Sequence, residues 1–139
     1  MNWSAPFEAL EVGQEFTTRG RTVTEADVVS FSALGIGHGM LVVAHAAGLV
    51  PFDPGRVVAL QRVSDATFKL PVHVGDTLRV DGRVDSLGGG SEEAGLVTFA
   101  WDVVDQEGRV VCCARVDVLW QRDAVAAPAE VNEFVPIPL

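Results

Sequence analysis

The residues with the clearest chemical potential in this sequence are His38, Gly39 and Met40, where an imidazole and a glycine stand at the head of the chain's most apolar run. The first backbone N–H groups of an α-helix have no partner within the helix and carry partial positive charge. Gly39 and Met40 are therefore placed to hold negative charge developing on a carbonyl oxygen. The competing reading is conformational: Gly37 and Gly39 simply permit tight entry into a buried helix, and both readings stay open at this point. His38 and His45 are seven residues apart, on one helix face but roughly 10 Å from each other, too far to act as a pair. His45, flanked by alanines, reads as a hydrogen-bonded core histidine, whereas His38 is the candidate catalytic residue, in a polar role at a pocket mouth. His73 lies in a turn and reads as a solvated loop residue. Gly37, Gly39 and Met40 are the candidate substrate-binding positions. Three dispersed histidines without cysteine or carboxylate spacing give no metal signature, and the reading requires no cofactor. No serine sits in a Gly-x-Ser-x-Gly elbow: Ser30 and Ser32 fall on a predicted helix and Ser64 on a strand.

The element that must position these groups is the run from Gly37 to Val50, closed by Pro51. Its composition predicts a helix of about three turns, from Gly39 to Val50. A helix apolar all round has to be wrapped, and the β-rich remainder from Arg56 to Asp123 is the material available to wrap it. Its apolar core is well short of the roughly 20 residues needed to span a bilayer, so a membrane reading fails on length.

Before this helix, Glu15 to Val23 alternates weakly as a strand interrupted by Gly20. Thr24 then stands where an N-cap should, with Asp27 three residues on, and predicts a short helix over Glu25 to Leu34 that Gly35 ends. Only Ile36 and Gly37 separate it from the apolar helix. Four long strand-like runs follow, at Val57 to Leu70, Thr77 to Leu87, Leu96 to Asp105 and Arg109 to Gln121, joined by hairpin-like connections. Leu78, Val80, Gly82 and Val84 alternate with Arg79, Asp81, Arg83 and Asp85, so one face of that strand is wet. The pattern predicts an α+β fold, a five-stranded antiparallel sheet wrapped around one apolar helix, in a single domain over residues 1–139 with its core at about 12–121. Residues 124–139 form a Pro/Ala-rich tail. Such a sheet covers one side of its helix and leaves long edges, which predicts a dimer.

Composition excludes several classes. The formal net charge of -9 and pI near 4.6 oppose nucleic-acid binding, which needs clustered Lys and Arg. Cys112 and Cys113 are adjacent, and bridging vicinal residues is strained, so they read as free thiols that fit a reducing cytoplasm. The first six residues show neither a basic start nor an apolar signal core, so export is not expected.

Several ordered segments resemble the MaoC-like branch of hot-dog-fold proteins. These are Val12-Gly13-Gln14-Glu15-Phe16, Arg21 through Leu34, His38-Gly39-Met40-Leu41 with Ala47-Gly48-Leu49, and Pro71-Val72-His73-Val74-Gly75-Asp76-Thr77-Leu78. The resemblance runs from about Val12 to Gln121. It implies a hot-dog dimer acting on acyl thioesters of coenzyme A or acyl carrier protein, which family members hydrate as 2-enoyl or dehydrate as (3R)-hydroxyacyl forms. One departure stands out. Active members carry Asp-x-Asn-Pro-(Leu/Ile)-His between the Phe-x-x-Leu-x-Gly segment and the His-Gly-Met helix, whereas here Leu34-Gly35 passes through Ile36-Gly37 directly to His38. An isoleucine cannot accept a proton.

The expected function is therefore a MaoC-like dehydratase or hydratase subunit paired, as a homo- or heterodimer, with another hot-dog subunit. In that pair the partner carries the dyad and this chain contributes the helix N-terminus and a pocket wall. The alternatives are a hot-dog thioesterase and a non-catalytic acyl-thioester-binding or scaffold protein. Asp65 reads as a solvated strand-face carboxylate, and Phe68, Phe99, Trp101 and Trp120 read as core or dimer surface before an acyl tunnel.

Overall fold

The computed structural model describes residues 3–33 and 38–123. The link Gly35-Ile36-Gly37 and the tail 124–139 lie outside the described residues. Alternation builds the sheet. In β4 (Thr77–Gly88) Leu78, Val80, Gly82 and Val84 are buried and Arg83 is exposed. In β6 (Val110–Gln121) Cys112, Ala114, Val116, Val118 and Trp120 are buried and Arg115 is exposed. β5 (Ala94–Val104) runs antiparallel between them, with Trp101 opposite Gly82 on one side and Ala114 on the other. β3 (Val57–Phe68) pairs with β6 and forms one end of the sheet.

At the other end β4 pairs in succession with β2 (Arg21–Thr22) and β1 (Glu15–Thr17), so the strand expected over Glu15 to Val23 is two short pieces in one position. Thr18 bridges the break: its N–H donates to Val80 O at 3.0 Å and its hydroxyl accepts from Val80 N–H at 2.9 Å. The order is β1-β4-β5-β6-β3, with β2 beside β4.

Two helices lie before β3. α1 (Glu25–Ala33) is capped reciprocally, Thr24 N–H donating to Asp27 Oδ2 at 2.9 Å and Asp27 N–H to Thr24 Oγ1 at 3.2 Å. α2 (His38–Ala47) stops three residues short of the expected end, in a turn where Gly48 N–H donates to Ala44 O. Leu41, Val42, His45 and Ala46 are buried, while Met40, Ala44 and Ala47 are exposed. One sheet covers one face, and small or apolar residues fill the other.

The core closes around five rings. Trp3 packs edge-on against Phe16 at 5.5 Å, and Phe52 stacks on Phe99 at 4.6 Å, with Trp120 beside Phe52 at 5.3 Å. Trp120 Nε1–H donates to Ala5 O at 2.8 Å, so the segment before β1, which the sequence shows only as an irregular lead-in, is tied into the core. Cys112 is buried, Cys113 half-buried and both are free thiols; burial, followed by the neighbouring Cys113, pushes the Cys112 thiol up to about 11.

The turn between β5 and β6 depends on a buried carboxylate. Asp105 accepts from the backbone N–H of Glu107 and Arg109 and from the Arg109 guanidinium, all near 2.9 to 3.0 Å. Burial by itself pushes its carboxyl up, but these donors outweigh it and hold the group below the ordinary aspartate value of 3.8. Asp27 and Asp76 are lowered as well. Because the folded values lie below the unfolded one, the stability they supply is full above the unfolded value and disappears as pH falls through the folded values. We predict that denaturant melts lose stability progressively below pH about 4 and that Asp105→Asn flattens this acid dependence; an unchanged slope in the variant would contradict the assignment.

β3 is the exposed part of the sheet. Val58 is 58% exposed, Leu60 57% and Phe68 49%, and the strand shows three register irregularities against β6, with Asp65 at φ 53 in one of them. A long edge with unpaired N–H and C=O groups beside apolar side chains is a template for a second chain. We predict that light scattering gives twice the 14.8 kDa chain mass and that Leu60→Arg shifts it toward the monomer; a monomer at micromolar concentration in the unmutated protein would sink the prediction.

Candidate functional site

The first turn of α2 opens on a cavity of about 330 Å³. Gly39 and Val42 form its helix side, Phe68 and Leu70 its strand side, and the loop Pro71 to Val74 its remaining wall, with Val28 reaching in from α1. Phe68 lies directly on the helix end: a Cβ built at Gly39 would stand 3.0 to 3.2 Å from three atoms of its ring. Glycine at 39 is what lets an aromatic ring and a helix terminus share this space. The ring is half exposed, so it covers part of the helix end without sealing it.

The loop wall is held by its own hydrogen bonds. Asp76 accepts from His73 N–H at 2.8 Å and from the Gln106 amide at 3.0 Å, and Gln106 in turn accepts from Thr77 N–H. The His73 N–H bond is the main reason the Asp76 carboxyl lies below its ordinary range. Gly75, at φ 97, makes the turn that a side chain would strain, and its N–H donates to Val23 O at 2.9 Å. Strand β6 supports the preceding stretch, since Lys69 N–H donates to Val111 O.

The sequence-predicted residues separate here. Gly39 is on the cavity wall; Met40 is 52% exposed beside it; His38 is the first residue of α2; Gly37 lies outside the described residues. His45 is a buried structural histidine: its Nε2 faces Arg21 O at 3.0 Å and its Nδ1 faces the Arg21 guanidinium at 3.3 Å, which selects the tautomer with the proton on Nε2. Arg21 also reaches Asp27 at 3.3 Å, so this cluster joins α2, β2 and α1. His73 is exposed as expected, yet it lines the cavity and is the one titratable side chain among the described residues that do so. Sequence reasoning missed this wall, although Phe68, Leu70 and Val72 recur at spacing two, the signal of residues sharing one side of an extended chain.

A second cavity, of about 290 Å³, lies at the other end of the same helix and strand. Ala47 and Val50 border it from the helix side and Val57 and Leu60 from β3; Trp101 and Val116 form its floor.

No protein-family model matches the sequence. Over 79 residues the chain is 37% identical to the 3-hydroxyacyl-[acyl-carrier-protein] dehydratase FabZ of Paracidovorax citrulli, covering 52% of this chain and 54% of the relative. The chain thus matches about half the length of that curated relative. The solved structure of a monoamine oxidase regulatory protein from Archaeoglobus superimposes with a TM-score of 0.78 at 27% identity, over 86% of this chain and 95% of that one. The MaoC-like dehydratase of Rhodospirillum rubrum superimposes with a TM-score of 0.74 at 19% identity, over 88% and 100%.

The chain has a hot-dog fold. In this hot-dog chain α2 is the central helix, and the cavity at its first turn lies between that helix and the exposed strand. We predict that Gly39→Ala changes stability by less than about 1 kcal/mol, because better helix propensity offsets the push on Phe68, while the displaced ring takes up part of the cavity. Denaturant melts of the variant check this, and a large loss of stability would show that Phe68 has no room to move aside.

Proposed function

We propose that this hot-dog chain is a subunit of a (3R)-hydroxyacyl-thioester dehydratase or enoyl-thioester hydratase that works paired with a second hot-dog subunit carrying an Asp/His dyad. The observation that carries the reading is the apolar cavity at Gly39, with a helix N-terminus at one wall and a strand with one unpaired edge at another. A thioester carbonyl oxygen set against the Gly39 and Met40 N–H groups accepts their hydrogen bonds as negative charge builds on it. Hydration then adds a water oxygen to C3 and a proton to C2; dehydration reverses both. The proton and the water need a base and an acid. His73 is the only titratable group lining the cavity among the described residues, and the sequence between Leu34 and His38 holds no carboxylate. The partner supplies them.

Pairing of two β3 edges also joins the cavities. An antiparallel two-fold arrangement sets the Phe68 end of one β3 against the Val57 end of the other, so the cavity at the first turn of one helix faces the distal cavity of the second subunit. The thioester then rests on one subunit and the acyl tail crosses to the other. Closure of the interface excludes water, which is what gives the helix terminus its electrostatic strength.

We predict that the purified chain alone binds acyl thioesters but does not hydrate crotonyl-type thioesters, and that activity arises when it is combined with a hot-dog subunit bearing Gly-Asp-x-Asn-Pro-x-His. Loss of enoyl absorbance with the chain alone, removed by His38→Ala or His73→Ala, would overturn the partnered reading. Release of free acid would favour a thioesterase.

A further inference from the structure

Strand β3 changes the face its side chains present part-way along its length. Val63 lies opposite Val116 and Phe68 opposite Cys112, and both partners are buried residues on the inner face of β6. Val63 to Phe68 is five steps along the chain, whereas Val116 to Cys112 is four. In an unbroken ladder, side chains an odd number of steps apart point to opposite faces. Phe68 shares the inner face with Val63 because Asp65 and Ala66 together stand opposite a single residue, Ala114, in the register shift between Ser64 and Thr67. Asp65 makes this bulge. At φ 53 it is the one non-glycine residue with positive φ among the described residues. Aspartate and asparagine tolerate that left-handed backbone, whereas β-branched residues such as the valines of the same strand are strained in it.

The consequence is visible in the cavity at the first turn of α2. Phe68 and, two residues on, Leu70 both line it. Without the extra residue the alternation would give that side to Thr67 and Lys69, setting a hydroxyl and an ammonium against Val28 and Val42. The Phe68 ring also arrives face-on. Its Cε1, Cζ and Cε2 atoms stand 3.0, 3.0 and 3.2 Å from the position a Cβ would take on Gly39, and an edge-on ring would bring Cζ clearly nearer than the other two. The hydrogen that Gly39 carries in place of a side chain therefore points at the face of the ring. A strained residue in this position, three residues before a cavity wall, is strain that serves a site.

We propose that Asp65 is a positioning residue for the acyl-thioester site: its left-handed backbone turns the end of β3 over, so that Phe68 lands on the first turn of α2 and an apolar strand end walls the cavity. The inference rests on the acyl-thioester reading given above, with the thioester held at Gly39 and Met40 of this same chain. Asp65 is exposed and acts through Phe68. Its side chain matters for the backbone it permits, so asparagine should replace it and valine should not.

The test compares the full unmutated chain with Asp65→Asn, Asp65→Val and Phe68→Ala. One readout is the Gly39 Hα signal in a ¹³C–¹H correlation spectrum, which the face of an aromatic ring moves upfield. The other is the calorimetric affinity for an octanoyl thioester of N-acetylcysteamine. The expected result is an upfield Gly39 signal in the unmutated chain and in Asp65→Asn, lost in Asp65→Val and Phe68→Ala, with affinity about tenfold lower in the two variants that lose it. An upfield signal that persists in Asp65→Val would show that residue 65 does not set the place of the ring. A lost signal with undiminished affinity in Asp65→Val would show that the placement does not serve binding, and either result overturns the inference. An upfield signal in an unmutated chain that does not bind the thioester would overturn the acyl-thioester reading, and the role of Asp65 in it, while leaving the bulge geometry in place. If Asp65→Val does not fold, Asp65→Ala, which also disfavours left-handed backbone but is not β-branched, takes its place with the same expectations.

Discussion

One constraint governs this structure: a helix apolar on most of its circumference cannot be covered by a single twisted sheet. The concave face of β4, β5 and β6 buries Leu41, Val42 and Ala46, and nothing among the described residues covers Met40, Ala44 or Ala47. The same shortfall appears at β3, which is paired on one edge and exposed at Val58, Leu60 and Phe68. The two uncovered surfaces adjoin, and both cavities open between them. What would be a defect in a monomer is a half-built site in a pair, because the surface that buries the helix also walls the substrate in.

Polar groups elsewhere are satisfied with little slack. Asp76 fixes the loop wall, Asp105 the β5–β6 turn, and the Thr24 and Asp27 pair the start of α1. His45 ties the central helix to the short strand at Arg21. Two features stand apart: Phe68 rests half-exposed on a helix terminus, and the buried Trp101 indole N–H has no acceptor among the described residues. The two residues line the cavities at opposite ends of one helix.

The strands were legible because their side chains alternate over a solvated outer face, where Arg83, Arg115 and the Thr98–Asp117 pair mark every second residue. The capping of α1 was equally plain, since Thr24 and Asp27 act over three residues. Trp3 was not legible, because nothing local tells an aromatic residue in an irregular segment that its partners are Phe16 and Phe99. The cavity position of His73 is hidden for the same reason: its exposure is visible in the turn chemistry, but its place on the same cavity as Gly39 depends on where β3 ends relative to α2. Helix α2 came out shorter than expected because apolar composition persists through Leu49 and Val50 after the helical hydrogen bonds have stopped.

The claim on which the account depends is that the open edge of β3 is covered in the working protein. Amide hydrogen exchange along Val57–Phe68 tests it most directly, because the N–H groups of β3 not bonded to β6 are protected only if another chain pairs with or buries them. The account predicts slow exchange along both edges of β3 at micromolar concentration, with the outward-facing amides accelerating as the protein is diluted toward dissociation. Outward amides exchanging at the rate of an open strand at every concentration, with and without a catalytically complete hot-dog partner, would contradict it.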